Sequence, residues 1–543
     1  MQRSRALPVI VLLAAAVVAL PFVWHLAGDA LVHLAIAERF ALGEPFRYQP
    51  GGEIVVASTS PFWTLLLTAF WWLAQGGSAI LLKVTVVGLW LGAGFLLVTI
   101  ARRDWNFPQA VAWGVGALWL AHTTVVANAL GGLENVLSAF QLLLLFFLAR
   151  SGVGGDRKTL LLGGVWGWMA LTRPDGALFG LAVLAAWLWS RPQHLWRKVL
   201  LGGLAAAVVI LPWYGYQWSV TGRLVTDSSV SRLYTARQSA LEVWPDLLYL
   251  HPKAIISLGT AFIPLVLGSA WFGLALLRGK LDWNARQRWQ GATALLLLAV
   301  GLAFYTFGVG AEAFGRYFLP IFPFLFLTGA AGMMLMYRSI TNIQPTVATV
   351  ATVGMIGLLI AGSAFDYYRR VAAGRFESGP VLNVIYGPAN RQYFSLNLID
   401  AVQAPARREQ ATDELLAALD ASQTPVSIAV TEVQLRYFVD ERVRVISLDG
   451  RTSAEILPYF DERSGVPDFD AYLARMQPDY VHANQWCRVG GWLSNLGTSA
   501  MTENRICRWQ QALASMEEEE QMSWRGVDVV EVAPEIVKLE WQN

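Results

Sequence analysis

The feature that most constrains this chain is a succession of apolar runs of about twenty residues, the length of α-helix that crosses the hydrocarbon core of a bilayer. They begin near Ala6, Ala79, Pro108, Leu133, Thr159, Asp175, Val199, Ala254, Gln290, Arg316 and Pro345. A polytopic α-helical membrane domain of about eleven spans is therefore expected. Charged residues make up 15% of the 543, against roughly a quarter in a soluble protein. A net charge of +2 offers no basic face for nucleic acid, and two cysteines exclude a disulfide-built scaffold.

Charge then sets the topology. The segment from Pro61 to Ala74 is apolar but short and carries Trp63, Trp71 and Trp72, which suits an interfacial or re-entrant piece as well as a span. If it does not cross and Met1 is cytoplasmic, fifteen basic residues, Arg102, Arg103, Lys158 and Lys198 among them, fall inside with Asp104, Asp156 and Asp282 as the accompanying acids. Ten of the thirteen acids that precede Asp366 then fall outside. A full span there would instead carry Arg102 and Arg103 across. Eleven spans with the N-terminus inside the cytoplasmic membrane is the preferred arrangement, and the apolar start from Ala6 to Ala27 reads as a retained anchor.

Composition changes near Asp366. The last 178 residues hold 26 of the 39 acids and 17 of the 41 basic residues, so residues 1–365 form the membrane domain and 366–543 a soluble domain outside. Within it PVSIAV, RVRVISL and PDYVHA read as short buried strands, with helical patterns around SAEILPYF and FDAYLARM, which predicts a small α/β sheet. Cys487 and Cys507 would lie in an oxidising compartment, as a disulfide or as two buried thiols.

Two external loops are substantial, residues 27–60 and 221–253. The first opens with GDALVHLAIAERF, where Asp29 either N-caps an amphipathic helix or is a functional acid at the membrane boundary. His33 follows one helical turn later. Gly43, Pro45 and Pro50 to Gly52 turn the loop back, Glu44 and Glu53 read as solvated, and Ser58, Thr59 and Ser60 can cap the helix after Pro61 or offer hydroxyls to a phosphate. Glu134 in GGLENVL sits at the start of the fourth span, where the helix dipole favours an anion. Arg173 and Asp175 in LTRPDGAL mark an external turn and can simply pair, while Arg316 at an outer boundary snorkels by default. Lys83, within a span, can snorkel as well.

Together Asp29, His33, Glu134, Arg173, Asp175 and Arg316 place acids and cations at one depth on one side. A departing phosphate needs cations to hold its developing charge, and an attacking hydroxyl needs a carboxylate or imidazole to take its proton. The sequence has no P-loop, HExxH helix or dinucleotide-binding glycine pattern. Asp468 and Asp470 read as a helix start, and Glu517 to Glu520 as a solvated charged face.

The order of these pieces resembles the GT-C superfamily of integral-membrane glycosyltransferases, and is most similar to polyprenyl-phosphate-sugar enzymes related to mycobacterial terminal arabinofuranosyltransferases. FRYQPGGEIVVASTSPFW resembles the family run that ends in TSPLW, GGLENVL its SGLEN stretch, RPDGAL its RPEG turn and GRYFLPIFPFL its GRYLLP span. RVRVISLDGRTS is similar to a strand and turn of its outer domain. Gly28 stands where the family often has the first of two acids, and Ala35 near a customary Arg. The family's Pro and Lys after the seventh span are absent from VTGRLVTDSSVSRLYTARQ, where Arg232 and Arg237 are candidates for the lipid phosphate.

The resemblance implies inverting transfer of a sugar from a polyprenyl-phosphate donor to an extracytoplasmic glycan, glycolipid or protein acceptor. Asp29 would be the general base. Glu134 and His33 would orient the acceptor or a divalent cation such as Mg or Mn, with Asp175 nearby, and Arg173, Arg232, Arg237 and Arg316 would neutralise the phosphate. A lipid-linked-sugar transporter or flippase, and a catalytically degenerate glycan-binding membrane protein, are the alternatives.

Overall fold

The computed structural model describes residues 6–149, 155–189, 194–227, 229–230, 262–279, 281, 283–305, 315–341, 344–372, 396–419, 421, 425–430, 435–447, 454–459, 469–482, 522–524, 527–533 and 536–541. Among the described residues the apolar runs are mainly helical, with breaks such as those at His122 and at Leu319 to Ile321. In chain order the helices are α1 (Ala6–Val23), α2 (Gly28–Ala41), α3 (Pro61–Ala74), α4 (Ser78–Arg103), α5 (Gln109–Ala121), α6 (Thr123–Leu130), α7 (Asn135–Ala149), α8 (Asp156–Thr172), α9 (Pro174–Trp189) and α10 (Leu195–Thr221). Further along the chain come α11 (Ile263–Leu277), α12 (Ala285–Ala303), α13 (Gly315–Phe318), α14 (Phe322–Thr341) and α15 (Pro345–Ala372).

Of these, α1, α4, α10 and the apolar part of α15 are long and apolar enough to cross a bilayer, and α5 with α6, bent by 54° at His122, makes a fifth if the pair is one span. This is a multi-pass membrane protein. The apolar helices α3, α7, α9 and α11 are shorter. At 14 residues α3 is about 21 Å long, less than the roughly 30 Å core, but α7, at 15 residues, is hardly longer. Helix length and composition among the described residues identify four or five crossings.

Exposure shows which faces meet lipid. Val9, Leu13, Val17 and Leu20 of α1, and Leu200, Leu204, Val208 and Leu211 of α10, are exposed at the same helical spacing, so each helix turns one apolar stripe outward. In contrast α5, α6 and α7 are buried on almost every face and form the centre of the bundle.

Packing among helices uses small residues, as expected where lipid removes the hydrophobic drive to associate. A Cβ placed on Gly332 of α14 would overlap the carbonyl group of Gly268 in α11, whereas one on Gly354 of α15 meets nothing within 4 Å. Gly332→Ala is expected to destabilise the protein in detergent by at least about 1–3 kcal/mol through overpacking, with Gly354→Ala neutral or stabilising. Equal thermal stabilities of the two variants would contradict this helix contact.

Lys83 does not snorkel. Its side chain is 3% exposed, and Nζ donates to the carbonyls of Phe22 (3.1 Å), His25 and Leu130. These oxygens lie at or just beyond the C-terminal ends of α1 and α6, where the helix dipole is negative. A buried ammonium thus finds three acceptors and joins the segments that lead into α2 and α7.

The tail begins where β1 (His25–Leu26), just before α2, pairs antiparallel with β2 (Leu396–Asn397). Next come α16 (Leu398–Ala418), β3 (Val426–Val430), α17 (Leu435–Phe438), β4 (Val443–Ser447), a 3-10 turn at Ala454–Tyr459, α18 (Phe469–Met476) and β5 (Tyr480–His482). The sheet continues through β6 (Met522–Trp524), β7 (Val527–Ala533) and β8 (Ile536–Trp541), in the order β4-β3-β5-β8-β7-β6. The three expected strands are its parallel half, and an antiparallel half is added by β6, β7 and β8. Leu416, Leu419, Val426, Ile428, Val443, Val445 and Tyr480 fill the core beneath it. Asp470 lies in the first turn of α18 as anticipated, while Asp468, Cys487, Cys507 and Glu517 to Glu520 are outside the described residues.

Candidate active site at the helix ends

Asp29 does not cap its helix. The first helical residue is Gly28, the cap is Ala27 without a side-chain hydrogen bond, and Asp29 falls in the first turn. Its Oδ2 instead accepts from Arg316 Nη1, so Arg316 is an ion-pair partner and not a snorkelling cation. The backbone N–H of Ala27 donates to Gly131 O at 2.8 Å, which fixes the start of α2 against the turn between α6 and α7. That turn requires glycine: Gly132 has φ +87°, and a Cβ there would come within 2.7 Å of Leu26.

Glu134 ends the turn, with its carbonyl accepting from Ser138 N as α7 begins. Its Oε1 accepts from Arg173 Nη1 at 2.7 Å, and its Oε2 lies 3.5 Å from His33 Nε2. Arg173 is extended between α8 and α9, since the following Pro174 disfavours helical backbone at the residue before it. From there its Nε donates to Asp175 Oδ1 at 2.8 Å and its Nη1 also reaches Asn135 Oδ1. Asp175 further accepts from Gly176 N at 3.1 Å and from the Tyr305 hydroxyl at 2.6 Å. Arg173 and Asp175 do pair, within a larger buried network.

Tyr317 completes the cluster. Its ring centroid is 5.1 Å from Arg173 Cζ and 4.8 Å from Arg316 Cζ, so both guanidiniums meet one aromatic ring. The structure thus brings Asp29, His33, Glu134, Arg173, Asp175 and Arg316 together, while Arg232 and Arg237 lie outside the described residues. Tyr305, Tyr317 and Asn135 were not anticipated. Tyr317 and Asn135 adjoin the anticipated Arg316 and Glu134, but Tyr305 sits in an apolar run with only Thr306 as a polar neighbour.

Exposure separates the acids. The side chain of Asp29 is 42% exposed, against 8% for Glu134 and 4% for Asp175. Asp29 is the accessible carboxylate of the three, and the other two hold Arg173. Among the described residues no three His, Cys, Asp or Glu side chains are arranged to hold a metal ion. The donor set here does not fit a resident divalent cation, because arginines already engage each of its carboxylates.

The rest of the first loop is held from two directions. Val56 N donates to Asp227 Oδ2 at 2.8 Å and Val56 O accepts from Asp227 N at 3.0 Å, so the segment that follows α10 straps the first loop. Ser58 Oγ accepts from Ser60 N and from Thr64 Oγ1, but Ser60, the N-cap of α3, makes no side-chain capping hydrogen bond, so this run orders the turn before the helix and does not cap it as expected. On the tail side, Gln49 Oε1 accepts from Val445 N at 3.1 Å.

Tyr48, Gln49, Glu53, Arg444 and Glu455 line a small cleft there. Partial burial pushes the Glu53 carboxyl up to about 7, helped by a hydrogen bond and repulsion from Glu455, against the opposing charges of Arg444 and Arg223. A raised carboxyl favours the docked state below its free value and withdraws that support as it ionises. The contact is therefore expected to loosen as pH rises from about 4.5 to about 7. Hydrogen exchange of residues 45–56 across this interval measures it, with Glu53→Gln flattening the response; exchange that slows as pH rises, after correction for intrinsic rate, would contradict the assignment.

No family model matches the sequence, and no curated protein matches it. Among solved structures the chain is similar to ArnT from Cupriavidus metallidurans, in a crystal structure bound to undecaprenyl phosphate, at 16% identity and a TM-score of 0.49 over 87% of this chain and 91% of that one.

Proposed function

We propose that this protein is a GT-C-type glycosyltransferase that moves a sugar from a polyprenyl-phosphate donor to an extracytoplasmic glycan, glycolipid or protein acceptor in one inverting displacement. The observation that carries the reading is the placement of the exposed Asp29 carboxylate beside Arg316, with Arg173 on the same aromatic ring. A proton acceptor and two fixed cations share one site.

In this mechanism Asp29 takes the proton of the acceptor hydroxyl as its oxygen bonds to the anomeric carbon. The bond from that carbon to the phosphate oxygen breaks, and the polyprenyl phosphate leaves as an anion whose charge Arg316 and Arg173 stabilise. A single displacement from the opposite face inverts the anomeric centre. His33 and Glu134 orient the acceptor. Arg232 and Arg237 are proposed to meet the lipid phosphate from the second loop.

The same reading takes the protein to cross the cytoplasmic membrane eleven times with its N-terminus inside, as the distribution of basic residues favours. The tail then lies outside, over the mouth of the site, and selects the acceptor. Terminal pentose transfer in envelope assembly is the reaction that the motif order suggests. The test is transfer by purified protein in lipid from a panel of labelled polyprenyl-phosphate pentoses and hexoses to membrane glycolipid extract. Labelled product with loss of donor is the expected result; no product from any donor, in protein that binds them, would overturn the reading.

A further inference from the structure

The helix α2 carries Asp29 and His33 near its start and Glu38 nine residues after Asp29, about 13 Å further along. Both ends of this helix are held by one segment of the tail. Immediately before α2, His25 and Leu26 pair with Asn397 and Leu396, the residues immediately before α16. Eleven residues beyond Asn397, on α16, Arg408 Nη1 and Nη2 donate to Glu38 Oε1 and Oε2, each at 2.7 Å.

The same guanidinium is fixed from behind. Arg408 Nε donates to Tyr437 O at 2.9 Å, its Cζ lies 5.4 Å from the Tyr437 ring, and the Tyr437 hydroxyl donates to Ala401 O at 3.1 Å. Thus α2, α16 and α17 meet at one cation. The pair is shielded, with side-chain exposures of 14% for Arg408 and 12% for Glu38, and a two-pronged charge-assisted contact of this kind fixes orientation as well as distance.

We infer that the tail segment from Leu396 to Arg408 is a brace for α2, and that Arg408 is a positioning residue which sets Asp29 and His33 through Glu38. The inference rests on the proposed transfer reaction. A displacement of about 1 Å at a reacting group costs on the order of a hundredfold in rate, so the helix that bears the base needs both ends fixed.

The experiment is a double-mutant cycle in the full-length protein with Arg408→Met, Glu38→Met and the combined variant, in which an apolar pair replaces the ionic one. Arg408→Met is expected to lower kcat about 10- to 100-fold with donor KM within about twofold, because the donor's phosphate site is left in place. The double variant is expected to be no slower than Glu38→Met, which breaks the same link and also removes the carboxylate that Arg39 Nη2 meets at 3.4 Å. Arg408→Lys, which keeps the charge but loses the planar fork, is expected to fall between wild type and Arg408→Met.

Hydrogen exchange across Gly28 to Ala41 provides a readout independent of turnover, and it is expected to quicken in Arg408→Met. Unchanged exchange, a wild-type kcat, or losses that multiply in the double variant would each overturn the brace. Faster exchange in a protein that transfers no sugar would uphold the brace and overturn the transfer reading alone.

Discussion

Asp29→Asn is expected to lower kcat by about 10²- to 10⁴-fold, the span that general-base catalysis supplies, with donor KM nearly unchanged. The substitution keeps the size of the side chain and an oxygen able to accept from Arg316, whose Nη1 now bonds Asp29 Oδ2. What it removes is the ability to take a proton. Asp29 is 42% exposed but Arg316 only 12%, so removing the carboxylate charge beside a shielded guanidinium is expected to lower stability as well. Product formation in lipid measures the loss, and thermal unfolding in detergent checks that the variant is intact. Normal turnover in a folded Asp29→Asn protein would pass the base role to His33 or remove transfer from consideration.

Asp29 also marks the limit of what local sequence delivers. The pattern GDALVHLAIAERF shows an amphipathic helix beginning beside an acid, but whether that acid caps the helix depends on where the helix starts. The start is at Gly28 because Ala27 is tied to Gly131, a contact more than a hundred residues away along the chain. Arg316 escapes a sequence reading for a related reason. A cation at a membrane boundary snorkels unless a carboxylate is brought to it, and the carboxylate comes from the opposite end of the membrane domain.

Elements with a strong local signal were legible. The apolar runs became helices, and the strands Val426–Val430 and Val443–Ser447 formed a parallel pair because each places branched residues, Ile428 and Val445 among them, on a pleated surface. The antiparallel half of the sheet was missed, although VDVVEVA and IVKLEW carry some alternation of their own. The number of crossings was less legible, since helices such as α7 and α9 are shorter than a straightforward span and hydropathy measures length along the chain, not depth in the bilayer. Lys83 stood out as a charge within an apolar run, but its partners and that of Tyr305 had no local signal; they are carbonyl ends of two helices and a carboxylate on a third.

Arg173→Met is the substitution expected to damage stability most. Arg173 is 8% exposed and holds two carboxylates that are themselves buried, Glu134 at 2.7 Å and Asp175 at 2.8 Å. Removing one partner from a buried ion pair costs about 3–5 kcal/mol, chiefly because the remaining charge has lost its compensation. Here two acids lose it together. Asp175 keeps the Tyr305 hydroxyl and Gly176 N–H, while Glu134 keeps His33, so the strain falls first on the turn between α6 and α7 and on the start of α9. The expected result is a clear fall in unfolding temperature together with loss of transfer, because Arg173 is also one of the two cations assigned to the leaving phosphate. Glu134→Gln combined with Arg173→Met separates these roles: it relieves one uncompensated charge and should recover part of the stability without recovering turnover. A folded Arg173→Met protein of normal stability and normal rate would remove Arg173 from both the framework and the chemistry of the site.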